Sequence, residues 1–427
     1  VTTLDDIGGP VAAGTAPGRA ATVEFERVTK HYDRREAKRG TPGAVNDLSL
    51  AVPAGKICVL VGPSGCGKTT SLKMVNRLIE PTSGRVLIDG EDAAARDVTE
   101  LRRGIGYVIQ QVGLFPHETI AENVITVPKL LGWPAARRRE RAQELLALVG
   151  LDPATYAGRY PVQLSGGERQ RVGVARALAA DPPIMLMDEP FGAVDPIVRE
   201  RLQDELLRLQ ESLSKTILFV THDIDEAVKM GDLVAVLQDG GILAQFGPPA
   251  EILARPASPF VARFVGADRG LKRLSLSRVA DLDLLPPVTA RPGDRATEEH
   301  RRALGSTFPW LLLVDELDRP LSWVAREDVR PGEPLADAPC TAAEPLLDRR
   351  ATLKDALSIL LGADVHAGIV VDRARRVLGL ATVAGIAAVA RDTATNGDDV
   401  EGESRDAAAM PDGAGAGAAN GSGSVAG

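Results

Sequence analysis

Cysteine is scarce, long apolar runs are missing, and positive charge is not in excess. Only three cysteines occur in 427 residues, Cys58, Cys66 and Cys340. Their odd number and uneven spacing support neither a disulfide framework nor a zinc site, and they fit a reducing, cytosolic setting. No stretch approaches the roughly 20 apolar residues needed to span a bilayer. The most apolar long run, residues 379–390, is broken by Gly385, so membrane association is expected to come through a partner. The formal net charge is −8, which argues against a nucleic-acid partner held by general attraction. The local basic run Arg137-Arg138-Arg139 reads as a solvated helix face. The first residues carry Asp5 and Asp6 and no apolar core, so no secretory signal is expected.

What remains is ordinary globular material, with 44% hydrophobic and 25% charged residues. The chain is long enough for two or three domains with real cores. Residues 1–21, rich in Gly, Ala, Pro and Asp, read as a disordered lead-in. Residues 22–266 read as an α/β domain. Ile57-Cys58-Val59-Leu60-Val61 and Ile184-Met185-Leu186-Met187 are continuous apolar runs, which suit central strands of a parallel sheet covered on both faces. Leu202, Leu206, Leu209 and Leu213 recur at helical spacing behind a start at Asp195-Pro196. Asp239-Gly240-Gly241, between two apolar runs, reads as a hairpin turn.

Residues 270–392 form a second, smaller region in which one pattern occurs twice. Trp310-Leu311-Leu312-Leu313-Val314-Asp315 is followed by Pro320-Leu321-Ser322-Trp323-Val324. Gly368-Ile369-Val370-Val371-Asp372 is followed by Val377-Leu378-Gly379-Leu380-Ala381, with a helix-like Thr352-Leu353-Lys354-Asp355-Ala356-Leu357 before it. Each pair is an apolar strand, an Asp turn and a second strand, which suggests an internal repeat. Residues 393–427 turn to Gly, Ala, Asp and Ser and read as a disordered acidic tail.

Three segments carry chemistry. Gly62-Pro63-Ser64-Gly65-Cys66-Gly67-Lys68-Thr69 is a complete G-x-x-x-x-G-K-[ST] directly after an apolar strand. Its glycines let backbone N–H groups curl around phosphate oxygens, Lys68 neutralises β/γ charge, and Thr69 is a Mg²⁺ ligand. A helix expected from Thr70 to Leu78 points its positive end at the same phosphates. The second segment is Ile184-Met185-Leu186-Met187-Asp188-Glu189-Pro190, where a buried strand delivers carboxylates to the ligand-binding edge of the sheet. Asp188 would complete the Mg²⁺ site, and Glu189 would be the base that orients the attacking water. In the third, Leu164-Ser165-Gly166-Gly167-Glu168-Arg169-Gln170-Arg171, a serine and two glycines open a helix. Alone it reads equally well as a simple N-cap or as an anion-accepting terminus.

Taken together, residues 23 to about 265 resemble the ABC transporter ATPases, with every motif in the family's order. Leu164-Ser165-Gly166-Gly167-Glu168 is similar to their signature sequence, with Glu168 where Gln is common. Gln110, in Gly106-Tyr107-Val108-Ile109-Gln110, matches the Q-loop glutamine, for which the resemblance implies contact with Mg²⁺ and the coupling region. Ala193-Val194-Asp195 matches the D-loop, although Gly192-Ala193-Val194-Asp195 departs from the usual Ser-Ala-Leu-Asp. His222, in Phe219-Val220-Thr221-His222-Asp223, matches the switch histidine at the γ-phosphate, and Tyr32 matches the aromatic that stacks on adenine. The fold implied is a P-loop NTPase domain with a helical subdomain. A head-to-tail homodimer or close heterodimer is implied too, with ATP between the phosphate loop of one subunit and Ser165 and Gly167 of the other; Gly166 and Asp195 count with residues 62–70 among the implied nucleotide-binding positions.

The resemblance narrows further. Met74-Val75-Asn76-Arg77-Leu78-Ile79-Glu80-Pro81-Thr82-Ser83-Gly84 and Gly104-Ile105-Gly106-Tyr107-Val108-Ile109-Gln110-Gln111 are similar to the osmoprotectant-uptake ATPases. The C-terminal repeat resembles the paired CBS domains of that branch. The Ser/Thr-x-x-Asp that can hold a ribose there is half-present in each copy, as Ala325 with Asp328 and Thr382 with Gly385. A ligand sensor and a packing domain both remain open. The expected setting is the cytoplasmic face of the inner membrane, with a permease and, indirectly, a substrate-binding protein as partners and glycine betaine, choline, carnitine or proline as cargo. An importer of another small solute, such as an amino acid or polyamine, uses the same motifs. A soluble, non-transport ABC ATPase fits less well, because one cassette and no coiled-coil insertion are present. Two finer expectations concern Cys66, either a thiol activated by Lys68 or a small residue that fits the loop, and Lys272, Arg273 and Arg278, a basic segment suited to an anionic lipid surface.

Overall fold

The computed structural model describes residues 20–33, 43–109, 113–192, 195–305 and 308–391. Most of the expected lead-in, all of the acidic tail, Gln110 and the Ala193-Val194 part of the D-loop lie outside these residues. The chain opens with β1 (Val23–Lys30), β2 (Val45–Val52) and β3 (Ile57–Val61), which leads into α1 (Lys68–Val75). Next come β4 (Ser83–Ile88), β5 (Glu91–Asp92) and β6 (Ile105–Val108), and a mostly helical stretch that ends in α2 (Gly166–Leu178). After it run β7 (Ile184–Asp188), α3 (Pro196–Leu213), β8 (Thr216–Thr221), α4 (Ile224–Met230), β9 (Leu233–Gln238) and β10 (Ile242–Gly247).

A six-stranded sheet in the order β10-β9-β3-β8-β7-β6 forms the centre. It is parallel apart from the β9–β10 hairpin, where Gly240 and Gly241 take φ of 81° and 64° as that turn requires. Every residue of β3, β7 and β8 is buried, because both faces are covered. Side chains alternate between two cores. Val59, Met187 and Phe219 pack with Val172 and Ala175 of α2 and with Leu146 of the helical stretch. Leu60, Leu186 and Leu218 pack under a second, antiparallel sheet in the order β2-β1-β4-β5. The helix predicted from Thr70 begins two residues earlier, at Lys68, because the left-handed Gly67 (φ 91°) ends the loop there.

Asn123 fixes the loop that leads from β6 into the helical stretch. It is fully buried, and its Oδ1 accepts from Phe115 N–H at 2.7 Å. Its Nδ2 reaches the carbonyls of Phe115, Glu118 and Thr119 at 3.1, 3.1 and 3.0 Å.

Beyond the cassette, α5 (Arg269–Leu274) leads to two small sheets. One is β11 (Val288–Ala290), β12 (Trp310–Val314), β13 (Pro320–Ala325) and β14 (Cys340–Ala342); the other is β15 (Leu346–Asp348), β16 (Ala367–Val371) and β17 (Val377–Thr382). The repeated pattern in the sequence becomes a repeated topology. In each copy a strand runs parallel to the next after an intervening helix, and that strand turns back antiparallel. Asp315 Oδ1 accepts from the amides of Leu317 and Arg319, and Asp372 Oδ1 from those of Ala374 and Arg376, all at 2.8 Å. The two sheets share a core of Leu312, Val314 and Trp323 against Ala367, Ile369 and Leu380. Leu274 of α5 is buried in another core of that unit, with Leu353 and Val370, while Leu276 packs on the cassette core.

Replacing Asn123 by Ala leaves a buried amide and several carbonyls unpaired, at a cost of roughly 2 kcal/mol or more. A melting scan of the variant is expected to show a midpoint lower by about 5 °C.

Candidate functional site

The carboxyl edge of the central sheet gathers the candidate residues. β3 ends at Val61, and residues 62–67 form the loop that feeds α1. A Cβ at Gly67 would come 2.2 Å from the Ala44 carbonyl, so the loop closes on its neighbour only with glycine there. Lys68 is 6% exposed. Its Nζ donates to the loop's own carbonyls, Gly62 O and Pro63 O, both at 2.8 Å. The cation is thus folded into the cradle that an incoming anion would occupy, and its two carbonyl contacts can be exchanged for phosphate oxygens.

Thr69 and Asp188 meet across the edge, the Thr69 hydroxyl donating to Asp188 Oδ1 at 2.8 Å. Burial pushes the Asp188 carboxyl above the usual range, while the Thr69 hydrogen bond and the cations of Lys73 and Lys68 pull it down. A hydroxyl and one carboxylate are hard oxygen donors. They fit Mg²⁺, which takes its other ligands from phosphate and water.

The next residue, Glu189, sits in the left-handed region at φ 43°, a conformation that costs a non-glycine residue roughly 1 kcal/mol or more. Its amide bonds to Val220 O at 3.0 Å and holds it there. Its Oε1 then lies 3.2 Å from His222 Nδ1. Tyr32, 64% exposed, stands over the loop, its hydroxyl 3.1 Å from Thr70 Oγ1.

Ser165 caps α2. Its Oγ accepts from Glu168 N–H at 3.3 Å, and Glu168 Oε2 accepts from Ser165 N–H at 2.7 Å. Glu168 also accepts from the Tyr156 hydroxyl at 2.6 Å, and these bonds hold its carboxyl below the usual range. A glutamate in place of glutamine is therefore accommodated by closing a capping box. Asp195 caps α3 by a single bond, its Oδ1 accepting from Val198 N–H at 3.1 Å. A Cβ at Gly167 would lie 3.0 Å from Val198, so the Ser165 turn and the Asp195 cap share one edge. Among the described residues no hydrogen bond joins Ser165, Gly166 or Gly167 to residues 62–70. Gln110 lies outside the described residues.

Of the two readings of Cys66, the structure favours the small residue that fits the loop. Cys66 is fully buried, and burial raises its thiol more than Lys68 lowers it. It fills the underside of the loop, where a Cβ on Gly62 would come 2.8 Å from its Sγ. In the basic segment after the cassette, Lys272 is drawn inward while Arg278 stays exposed. Lys272 is 12% exposed and bonds Asp268 at 2.7 Å and Val265 O at 3.2 Å, with Asp225 of α4 at 3.4 Å. Arg278 donates to Arg350 O at 3.0 Å. Sequence reasoning missed Glu226, a buried partner of Thr221 and Gln203. The spacing Asp223-Ile224-Asp225-Glu226 has the form of a helix cap, and its glutamate turns inward instead.

Residues 45–192 match the family model described as ABC transporter. The chain is 50% identical over 310 residues to the osmoprotectant import ATP-binding protein OsmV of Salmonella typhimurium, covering 72% of this chain and 80% of that protein. It is also 50% identical over 294 residues to the glycine betaine/carnitine/choline transport ATP-binding protein OpuCA of Bacillus subtilis, covering 69% and 75%. Among solved structures, cbiO1 of Clostridium perfringens, part of the ABC transporter complex cbiONQ, superposes with a TM-score of 0.50 at 26% identity, covering 53% of this chain and 91% of that one.

The cysteines offer a direct check on the loop. Cys340 is exposed, whereas Cys58 and Cys66 are buried, and the Cys58 thiol is pushed up to about 12. Iodoacetamide at neutral pH is expected to modify Cys340 first and the other two only on unfolding, as counted by peptide mass spectrometry.

Proposed function

This chain belongs to the ABC transporter family, among the ATP-binding subunits of osmoprotectant importers, and from that premise we propose how its site powers uptake of a quaternary-amine solute. ATP is hydrolysed by a pair of these subunits, a homodimer or close heterodimer. A membrane permease uses that cycle to carry glycine betaine, choline, carnitine or proline, delivered by a substrate-binding protein. The chain acts as a peripheral subunit at the cytoplasmic face of the inner membrane. Among the described residues no helix is long and apolar enough to cross a bilayer.

The observation that carries this reading is the convergence on one sheet edge of Thr69 with Asp188 and of Glu189 with His222, at 2.8 and 3.2 Å. ATP draws Lys68 out of its contacts with Gly62 O and Pro63 O and onto the β- and γ-phosphates, while backbone amides of the loop at residues 62–69 wrap the phosphate oxygens. Thr69 and Asp188, with Gln110 expected as a further ligand, would hold Mg²⁺, which when bound would neutralise phosphate charge. Glu189 orients the attacking water and accepts its proton, and His222 steadies that carboxylate and reaches the γ-phosphate. Tyr32 offers its ring to the adenine. Ser165, Gly166, Gly167 and Asp195, standing apart from residues 62–70, complete the site of the opposing subunit in a two-fold dimer.

Residues 270–392 act as a CBS-like regulatory unit rather than as part of the chemistry. The repeated topology supports this, and so does the Lys272 contact to Asp225, three residues beyond His222. Ala325 makes no side-chain cap bond, and Thr382 Oγ1 accepts from Gly385 N–H at 3.0 Å. The half-motifs therefore favour a mechanical input over ribose binding.

Glu189→Gln is expected to lower steady-state ATP hydrolysis by about 10² or more with the affinity for a fluorescent ATP analogue retained; normal turnover would remove the role given to Glu189. Deleting residues 270–427 is expected to leave ATP hydrolysis within about threefold, while transport by the reconstituted complex loses its dependence on internal salt. An unchanged salt threshold would make the region structural.

A further inference from the structure

Among the described residues two acidic residues are buried, Asp188 and Glu226. Asp188 belongs to the nucleotide site. Glu226 has no role in it, yet it lies in the first turn of the helix that follows His222, and it is 7% exposed. Both of its oxygens are engaged. Oε2 accepts from the Thr221 hydroxyl at 2.5 Å and Oε1 from Gln203 Nε2 at 3.0 Å. Thr221 Oγ1 in turn accepts from Asp223 N–H at 3.1 Å, and the Asp223 carboxylate caps α4 through Asp225 and Glu226 N–H at 2.8 and 3.4 Å. The residues on either side of His222 are thus pinned by one closed network.

His222 itself stands largely in the open, its side chain 60% exposed beside Glu189. Its ring direction is set by the backbone of residues 221–223, and that backbone is what Thr221 and Asp223 hold. Gln203 extends the network into α3, two turns beyond the Asp195 cap. An apolar side chain would fill the space under Thr221 at lower desolvation cost. What it would lack is a directional tie between β8, α3 and α4.

We propose that Glu226 is a positioning residue for hydrolysis, fixing the turn at residues 221–223 so that His222 meets Glu189 and keeping that turn in register with α3. This rests on the reading of Glu189 and His222 as the hydrolytic pair. A displacement of about 1 Å at such a pair costs up to about 10² in rate.

The test uses the full chain, with steady-state ATP hydrolysis and the Kd of a fluorescent ATP analogue measured side by side. Glu226→Ala strands the Thr221 hydroxyl and the Gln203 amide. It is expected to lower kcat by about 10- to 100-fold with Kd within about threefold. In Glu226→Gln the Gln203 amide rotates to present its oxygen, so kcat should recover to within about threefold of the parent. Thr221→Val keeps the side-chain shape and removes the tie. It should lose about tenfold in kcat with native circular dichroism, and it decides the matter if Glu226→Ala does not fold. The proposal is overturned if Glu226→Ala and Thr221→Val keep parental kcat, if kcat and nucleotide affinity fall together, or if Glu226→Gln is as slow as Glu226→Ala. Normal hydrolysis by Glu189→Gln would instead remove the underlying reading, whatever the Glu226 variants do.

Discussion

The hydrogen bond from Thr69 to Asp188 closes the edge of the central sheet, and the rest of the site is arranged around it. It ties the first turn of α1 to the end of β7, two elements that are not neighbours in the chain. That contact is possible because β3, β8 and β7 lie side by side and in register, so their carboxyl ends finish at one level. The same register brings His222, just past β8, within reach of Glu189, just past β7. A sheet buried on both faces is the physical condition for this. Slipping a strand by one residue would move its side chains to the opposite core.

Parts of this design are written locally and others are not. The apolar runs of β3 and β7 announce strands because every residue in them is buried, and the loop at residues 62–69 declares itself by its glycines. The antiparallel β1 is harder to read. Arg27 at φ 48° and the register shift between Phe25 and Val28 break the alternation that would mark it. The Glu226 network was illegible because its partners come from different elements, Gln203 lying 23 positions away along the chain. Lys272 misled for a related reason. Its neighbours in sequence are basic, but its partners in space are Asp268 and Asp225, which turn an expected surface charge into a clamp. The repeat in the C-terminal unit was visible as two Asp turns, and its meaning came from the sheets that share Trp323 and Leu380.

Helix α4 stands where these constraints meet. Asp223 caps it behind His222, Glu226 binds it inward to α3, and Asp225 binds it outward to Lys272. A shift of α5 against the cassette would therefore be felt one turn from His222, without any long path through the core. The cassette's α3 and the C-terminal unit's Lys272 thus hold opposite sides of a single short helix.

The central claim is that one chain carries two unlike half-sites, residues 62–70 on one edge and Ser165 to Gly167 on another, which only a second subunit completes. A mixing experiment tests it most directly. Lys68→Ala and Ser165→Arg are each purified, shown to be inactive, and combined in equal amounts. In a head-to-tail heterodimer both lesions fall in one site and the other site is intact. The account therefore predicts that ATP hydrolysis reappears on mixing, to a substantial fraction of the parental rate. Activity that stays at the sum of the two separate variants, while a cross-link proves that mixed dimers have formed, would contradict it.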